Sequence, residues 1–295
     1  MKCSTKDLKG LKVLIVVGEF DVPYADVPEN VKYEKFVGDA LASKNIPSEI
    51  MLLEHKDFSE EGAIQKKILK AAPDVVFNLF EGFYDDSSKE PIFAEILEEM
   101  NVPFTGNTSY ALRACLNKNG AKEILKHNGV PVPDGFVIKN GNDLEKATGE
   151  FPYFLKPVAE DASLGIDKES LVNSKEEMRV SAEKKLKMFP AGILAEEFLP
   201  GKEYNVGMLG SGEYEIFGVS SIDYAEYAES TPFLTYGSKW DEASEEYRKT
   251  IPVFEKGIEP VKRRKIAEIA EKAARALKCR GYFRVDLREK SDKIC

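Results

Sequence analysis

Leu11 to Val17 (LKVLIVV) and Asp74 to Phe80 (DVVFNLF) are short, nearly unbroken apolar runs rich in β-branched residues. A strand with one wet face alternates polar and apolar side chains, so a run without alternation reads as a strand buried on both faces, the habit of parallel sheets. Parallel neighbours need a crossover of a dozen or more residues, usually helical. Amphipathic stretches around Val31 to Lys44 and Glu60 to Ala71 lie between the two runs, and Pro91 to Met100 follows the second. The first ~105 residues therefore read as a layered βαβ-type domain, closed by Val102 to Gly106 (VPFTG).

After this the pattern changes. A helix through Leu116 to Asn128 is stopped by Gly129, Pro131 and Pro133. Extended segments then dominate: Tyr153 to Pro157 (YFLKP), Ile193 to Leu199 (ILAEEFL), Tyr204 to Leu209 and Glu215 to Ser220, with a helix at Ser174 to Lys187 between the first two. That is an α+β pattern with antiparallel strands. Asp223 to Lys249 has no clear period and carries Pro232, Gly237 and many carboxylates, so it reads as a long loop suited to act as a lid. From Arg264 to Leu277, the residues Ile266, Ile269, Ala270, Ala273 and Leu277 recur at helical spacing, and the strand Tyr282 to Leu287 (YFRVDL) follows. A chain of 295 residues has room for two or three such units.

Several classes of function fall away. The chain has 4 Cys, scattered with no C-x-x-C pair, and only 2 His, so neither a thiolate zinc site nor a multi-histidine metal site can be built, and a serine triad would need His55 or His127. A net charge of −9 opposes general nucleic-acid binding. No stretch approaches the ~20 apolar residues of a membrane span, and with the scattered cysteines this reads as a cytoplasmic protein. Neither G-x-x-x-x-G-K-[ST] nor G-x-G-x-x-G occurs, so any nucleotide is bound in another way.

Individual residues leave two readings open. Lys156, inside an apolar strand, either snorkels at an edge or meets an anion in a polar cleft, and Lys118 alone reads as surface. Glu196 and Glu197 beside Phe198 and Leu199, with Glu203 after a Pro-Gly turn, form either a solvated strand end or an adenine- and ribose-binding segment. Arg284 and Asp286 share one strand face, as a salt bridge or as a phosphoryl and Mg²⁺ pair.

The order of the motifs narrows this. VFNLFEG, VPFTGNTSYALRACLNKNGAKEILKHNGVPVP, FLKP followed by S-L-G, LAEEFLPGKEYNVGMLG, SKW and GYFRVDL run in register from about Asp74 to Leu287. Together they resemble the D-alanine:D-alanine ligases of the ATP-grasp family. The resemblance implies an α/β and α+β ATP-grasp fold with a Rossmann-like N-terminal domain: 1–107, a central subdomain 108–196 and a C-terminal subdomain 197–295. It implies a carboxylate–amine ligase that forms a C–N bond of peptide type through an acyl phosphate, using ATP and Mg²⁺, with amino acids as the expected substrates. By position, Lys118, Lys156 and Ser163 match groups that hold ATP phosphates. Glu196, Glu197, Phe198 and Leu199 match the adenine contacts, and Glu203 the ribose carboxylate. Lys239 matches a phosphate-side lysine of the mobile loop, Arg284 the arginine on the reacting carboxylate, and Asp286 the first Mg²⁺ ligand.

Departures fall on the substrate side. The family's Gly-Gly loop and its Glu are missing after the first strand, where Glu19 is the nearest substitute. In the phosphate-covering loop Ala162 replaces a serine, and Trp240 replaces its tyrosine partner. Both changes favour substrates other than D-alanine, or the alternative of a nucleotide-binding regulatory or partner-binding module that has lost catalysis. No E-x-N follows Asp286, so a further strand and helix are expected beyond Cys295. The half-hairpin left at the end would expose Tyr282 to Leu287 as an unpaired edge and a route to a homodimer.

Overall fold

A computed structural model describes residues 10–19, 33–83, 86–160, 163–224, 233–241, 243–291 and 293–295, without the side chains of Asp223, Trp240 and Glu246. It divides into two compact units, Met1–Arg113 and Ala114–Cys295.

In the first unit β1 (Val13–Gly18) is buried along its whole length. α1 (Tyr33–Ala42) leads to β2 (Ser48–Leu53), parallel to β1, and α2 (Ala63–Ala71) leads to β3 (Val75–Asn78), parallel on the other side of β1. Successive strand residues point to opposite faces. Leu14 and Val16 therefore pack with Ile64 and Ile68 of α2 and with Phe93 and Leu97 of α3 (Lys89–Glu99), while Val13 and Ile15 pack with Val37 and Leu41 of α1. This is the two-sided burial that the apolar runs require. A single parallel bridge, Val76 to Phe104, brings in the 102–106 run. β2 lies outside the expected strands because Ile50 and Leu52 face outward beside the buried Met51 and Leu53, so its sequence shows no alternation.

α4 (Ser109–Leu116) spans the junction. The second unit begins with α5 (Lys118–His127), whose cap Asn117 accepts a hydrogen bond from Gly120 N at 2.9 Å. Next come β4 (Gly135–Ile138), β5 (Tyr153–Pro157), β6 (Leu171–Val172), α6 (Lys175–Met188) and β7 (Ile193–Glu197). The strands form an antiparallel sheet ordered β4-β7-β5-β6. Met178 and Ala182 of α6 bury its inner face, made by Ile138, Leu155, Ile193 and Ala195.

A second sheet uses β8 (Glu203–Ser211) and β9 (Glu213–Asp223). Two short helices follow, α7 (Tyr236–Trp240) and α8 (Glu245–Lys249), then β10 (Ile251–Phe254), α9 (Pro260–Ala276), β11 (Arg280–Lys290) and β12 (Lys293–Ile294). The order is β10-β9-β8-β11-β12. Ile266, Ala270, Ala273 and Ala274 of α9 pack on Val206, Met208, Val219 and Leu287, as the helical spacing requires. Because the second unit has two sheets with separate cores, we propose its further division at 196/197, beside an N-terminal part ending near 107.

Two expectations need correction. The stretch Asp223 to Lys249 is not one structureless loop: outside 225–232 and 242, which lie beyond the described residues, it holds α7 and α8. Nor is the Tyr282–Leu287 strand unpaired. β11 pairs antiparallel to β8 from Arg280 to Arg288, and β12 meets it at Glu289 and Lys290.

Candidate active site

A cavity of about 600 Å³ lies within the second unit, and every nucleotide-side, catalytic and metal candidate taken from the sequence lines it, whereas Glu19, the substitute on the substrate side, belongs to the first unit. Strand alternation explains its first wall. In β5, Tyr153, Leu155 and Pro157 are buried, so Phe154 and Lys156 take the other face; in β7, Leu194 and Glu196 take the matching positions. Lys156 Nζ lies 2.5 Å from Glu196 Oε2, and Lys122 Nζ of α5 lies 2.8 Å from Glu196 Oε1. Burial pushes the Glu196 carboxyl up, but the two ammoniums outweigh it and hold the group below the ordinary carboxylate range. The side chain of Glu196 is thus a hinge between two lysines.

Glu197 points elsewhere. Its carboxylate accepts from Lys293 at 2.9 Å and from Asp134 N at 3.3 Å, and lies 3.5 Å from Lys290. It therefore ties the end of the β11–β12 hairpin to β7. Beside it Phe198 is buried in an aromatic group with Phe154, at 6.1 Å between centroids, and Phe233, at 6.2 Å. The Arg288 guanidinium lies 5.0 Å from the Phe198 ring centroid. Leu199 is also buried there. Glu203 accepts from the Tyr224 hydroxyl at 3.2 Å, with Arg288 at 3.9 Å, and burial pushes the Tyr224 phenol up.

β11 supplies the opposite wall. Arg284 and Asp286 share a face, and Nε and Nη2 of the arginine donate to Oδ1 and Oδ2 at 2.6 and 2.8 Å. Asn205 of the neighbouring β8 donates to Asp286 Oδ1 at 2.9 Å. Hydrogen bonding to Asp286 raises the Arg284 pKa further. Of the two sequence readings the salt bridge is therefore present. With about half of each side chain exposed, both groups remain open to a ligand.

Loops complete the cavity. Lys118 sits in the first turn of α5, and its N–H donates to Val158 O at 2.9 Å. Ser163 has φ of 65° and Gly165 φ of 75°, and a Cβ at Gly165 would come within 2.7 Å of both Phe189 and Pro157. Only glycine fits such a left-handed, crowded position without strain. Lys239 is carried on α7, and Tyr236 N of the same helix donates to Ile166 O at 3.2 Å. Ala162 lies outside the described residues. Lys122, Phe154, Phe233, Tyr224 and Arg288 are the cavity or near-cavity groups that the sequence alone does not single out. Lys122 had a signal, four residues after Lys118 on one helix face, and Phe154 shares a strand face with Lys156.

Comparison with known proteins bears on this arrangement. A profile of the D-ala D-ala ligase C-terminus matches residues 124–295. The chain belongs to the D-alanine–D-alanine ligase family. This is a family of ATP-dependent ligases that form a peptide-type bond. A D-alanine–D-alanine ligase from Aquifex aeolicus is 30% identical over 223 residues, 75% of this chain and 69% of that one. A Sinorhizobium fredii protein of uncharacterised function is 29% identical over 72% of this chain and 60% of its own length, so the chain spans less than two thirds of that relative. The structure of a D-alanine–D-alanine ligase from Bacillus anthracis, complexed with ATP, superposes with a TM-score of 0.66 and 19% identity, covering 97% of this chain and 84% of that one. The ATP-grasp fold of the family accounts for the two facing roles of the sheets in the second unit: each brings one polar strand face to the cavity.

Proposed function

We propose that the cavity holds ATP and that the chain uses it to join the carboxylate of one amino acid to the amine of another. The observation that supports this is the convergence of Lys118, Lys156, Lys239 and Arg284 with the Glu196–Glu203 segment on one cavity, although they come from separate helices, strands and loops. Phosphoryl transfer is mostly positioning and charge neutralisation, which these cations supply. In the first step a substrate carboxylate oxygen attacks the γ-phosphorus, the bond to the β-phosphate oxygen breaks, and ADP leaves. In the second the amine attacks the acyl carbon, inorganic phosphate departs and the nitrogen loses a proton. Lys118, Lys156 and Lys239 hold the phosphates, with Ser163 on the covering loop. Arg284 steadies the reacting carboxylate and the oxyanion that forms on it. The adenine lies along Glu196 to Leu199, packed on the Phe198 group, and its ribose meets Glu203.

Among the described residues no three His, Cys, Asp or Glu side chains gather around a metal position. Asp286 gives one hard oxygen donor, which suits Mg²⁺ that keeps waters and takes its other ligands from phosphates. When bound there, the cation would neutralise charge on the triphosphate.

A site lacking the serine and tyrosine hydroxyls replaced by Ala162 and Trp240 leaves polar groups of D-alanine unpaired, at about 1 to 3 kcal/mol each, so D-alanine should be a poor substrate. Among the described residues no helix is long and apolar enough to cross a membrane. Phosphate release from ATP and Mg²⁺, screened over pooled amino acids and small carboxylic acids, tests the proposal. We expect turnover that needs one acid and one amine. Tight ATP binding with no turnover on any pool would instead make the chain a nucleotide-dependent regulatory module.

A further inference from the structure

Lys122 stands apart from the other cations of the cavity. It is buried, 8% exposed, where Lys118, Lys156, Lys239 and Arg288 are half-buried and Arg284 is exposed. Its ammonium and that of Lys156 grip opposite oxygens of Glu196, at 2.8 and 2.5 Å. Gly135 faces Glu196 across the β4–β7 ladder, and a Cβ at Gly135 would fall 2.9 Å from Lys122 Nζ and 2.3 Å from the Ala195 carbonyl oxygen. The ammonium therefore reaches its carboxylate through space that a side chain at 135 would fill.

We propose that Lys122 is a positioning residue: it neutralises Glu196, so that Lys156 keeps an uncompensated charge for the phosphates of the nucleotide. This rests on the nucleotide reading of the cavity and extends it. Two lysines around one carboxylate sum to one positive charge. Without Lys122, Glu196 and Lys156 close into a neutral pair, and a phosphate must compete with a carboxylate already touching the ammonium. With it, the carboxylate charge is answered from its far side, and the other N–H donors of Lys156 turn toward an anion.

Calorimetric titration of the full chain with ATP and, separately, adenosine tests this, because only ATP carries the phosphates. Lys122→Met should weaken ATP binding about tenfold, in line with one charge-assisted contact, and weaken adenosine, which lacks the phosphates and meets the segment only through its base and ribose, far less. Lys122→Arg should restore most of the ATP affinity. If Lys122→Met does not fold, Lys122→Gln, which retains a hydrogen bond to Glu196, carries the same expectation. Equal losses for ATP and adenosine, or an unaltered ATP affinity, would overturn the role of Lys122. A wild-type protein that binds no ATP would sink the cavity reading itself and this inference with it, so the two failures are distinguishable.

Discussion

Lys156 carries the residue-scale question, because an ammonium on a largely apolar strand is costly unless something answers its charge. Glu196 answers it here, yet about a quarter of the Lys156 side chain stays exposed toward the cavity. Replacing it with alanine should weaken ATP binding by about 1.5 to 3 kcal/mol, the range for a charge-assisted hydrogen bond to an anion. The same change at Lys126, exposed on α5, should leave the affinity as it was. Equal affinities in calorimetry would mean that Lys156 is not a phosphate ligand. Motif order was enough to single out Lys156, Arg284 and Asp286 from the sequence. The Arg284–Asp286 salt bridge was one of two readings that the strand alternation left open, whereas the grouping of Lys156 with Glu196 and Lys122 was not legible, because the Lys122–Glu196 pair joins residues 74 apart and depends on a glycine in a third element.

At the scale of elements, legibility followed burial. β5 has the expected bounds because its alternation is strict and proline ends it. The α9 face was readable for the same reason, since Ile266 and Ala270 are fully buried against the second sheet. Ile266→Ala should cost about 2 to 5 kcal/mol, the transfer loss plus the cavity left behind, measured as the shift in urea unfolding. A loss below about 1 kcal/mol would show that the α9 interface collapses around the gap. The short helices α7 and α8 were missed because neither is long enough to show a period. Their only local signals are caps: Thr235 accepts from Ser238 N, and Ser244 accepts from Tyr247 N.

For the whole molecule, the charge of −9 sets a problem that the cavity solves locally. A polyanionic nucleotide is repelled by the protein at large, while Lys118, Lys122, Lys156, Lys239, Arg284 and Arg288 outnumber Glu160, Glu196, Glu197, Glu203 and Asp286 by one inside it. The hydrogen bond from Tyr236 N to Ile166 O bears on how that captured ligand departs. It couples the stretch bearing Ser163 to the helix bearing Lys239, and we expect the two to open as one latch, so that a single event sets how long ADP stays. Amide exchange tests this: adding ADP should slow exchange in 163–166 and 236–239 by matching factors, whereas protection of one segment alone would show that each opens by itself.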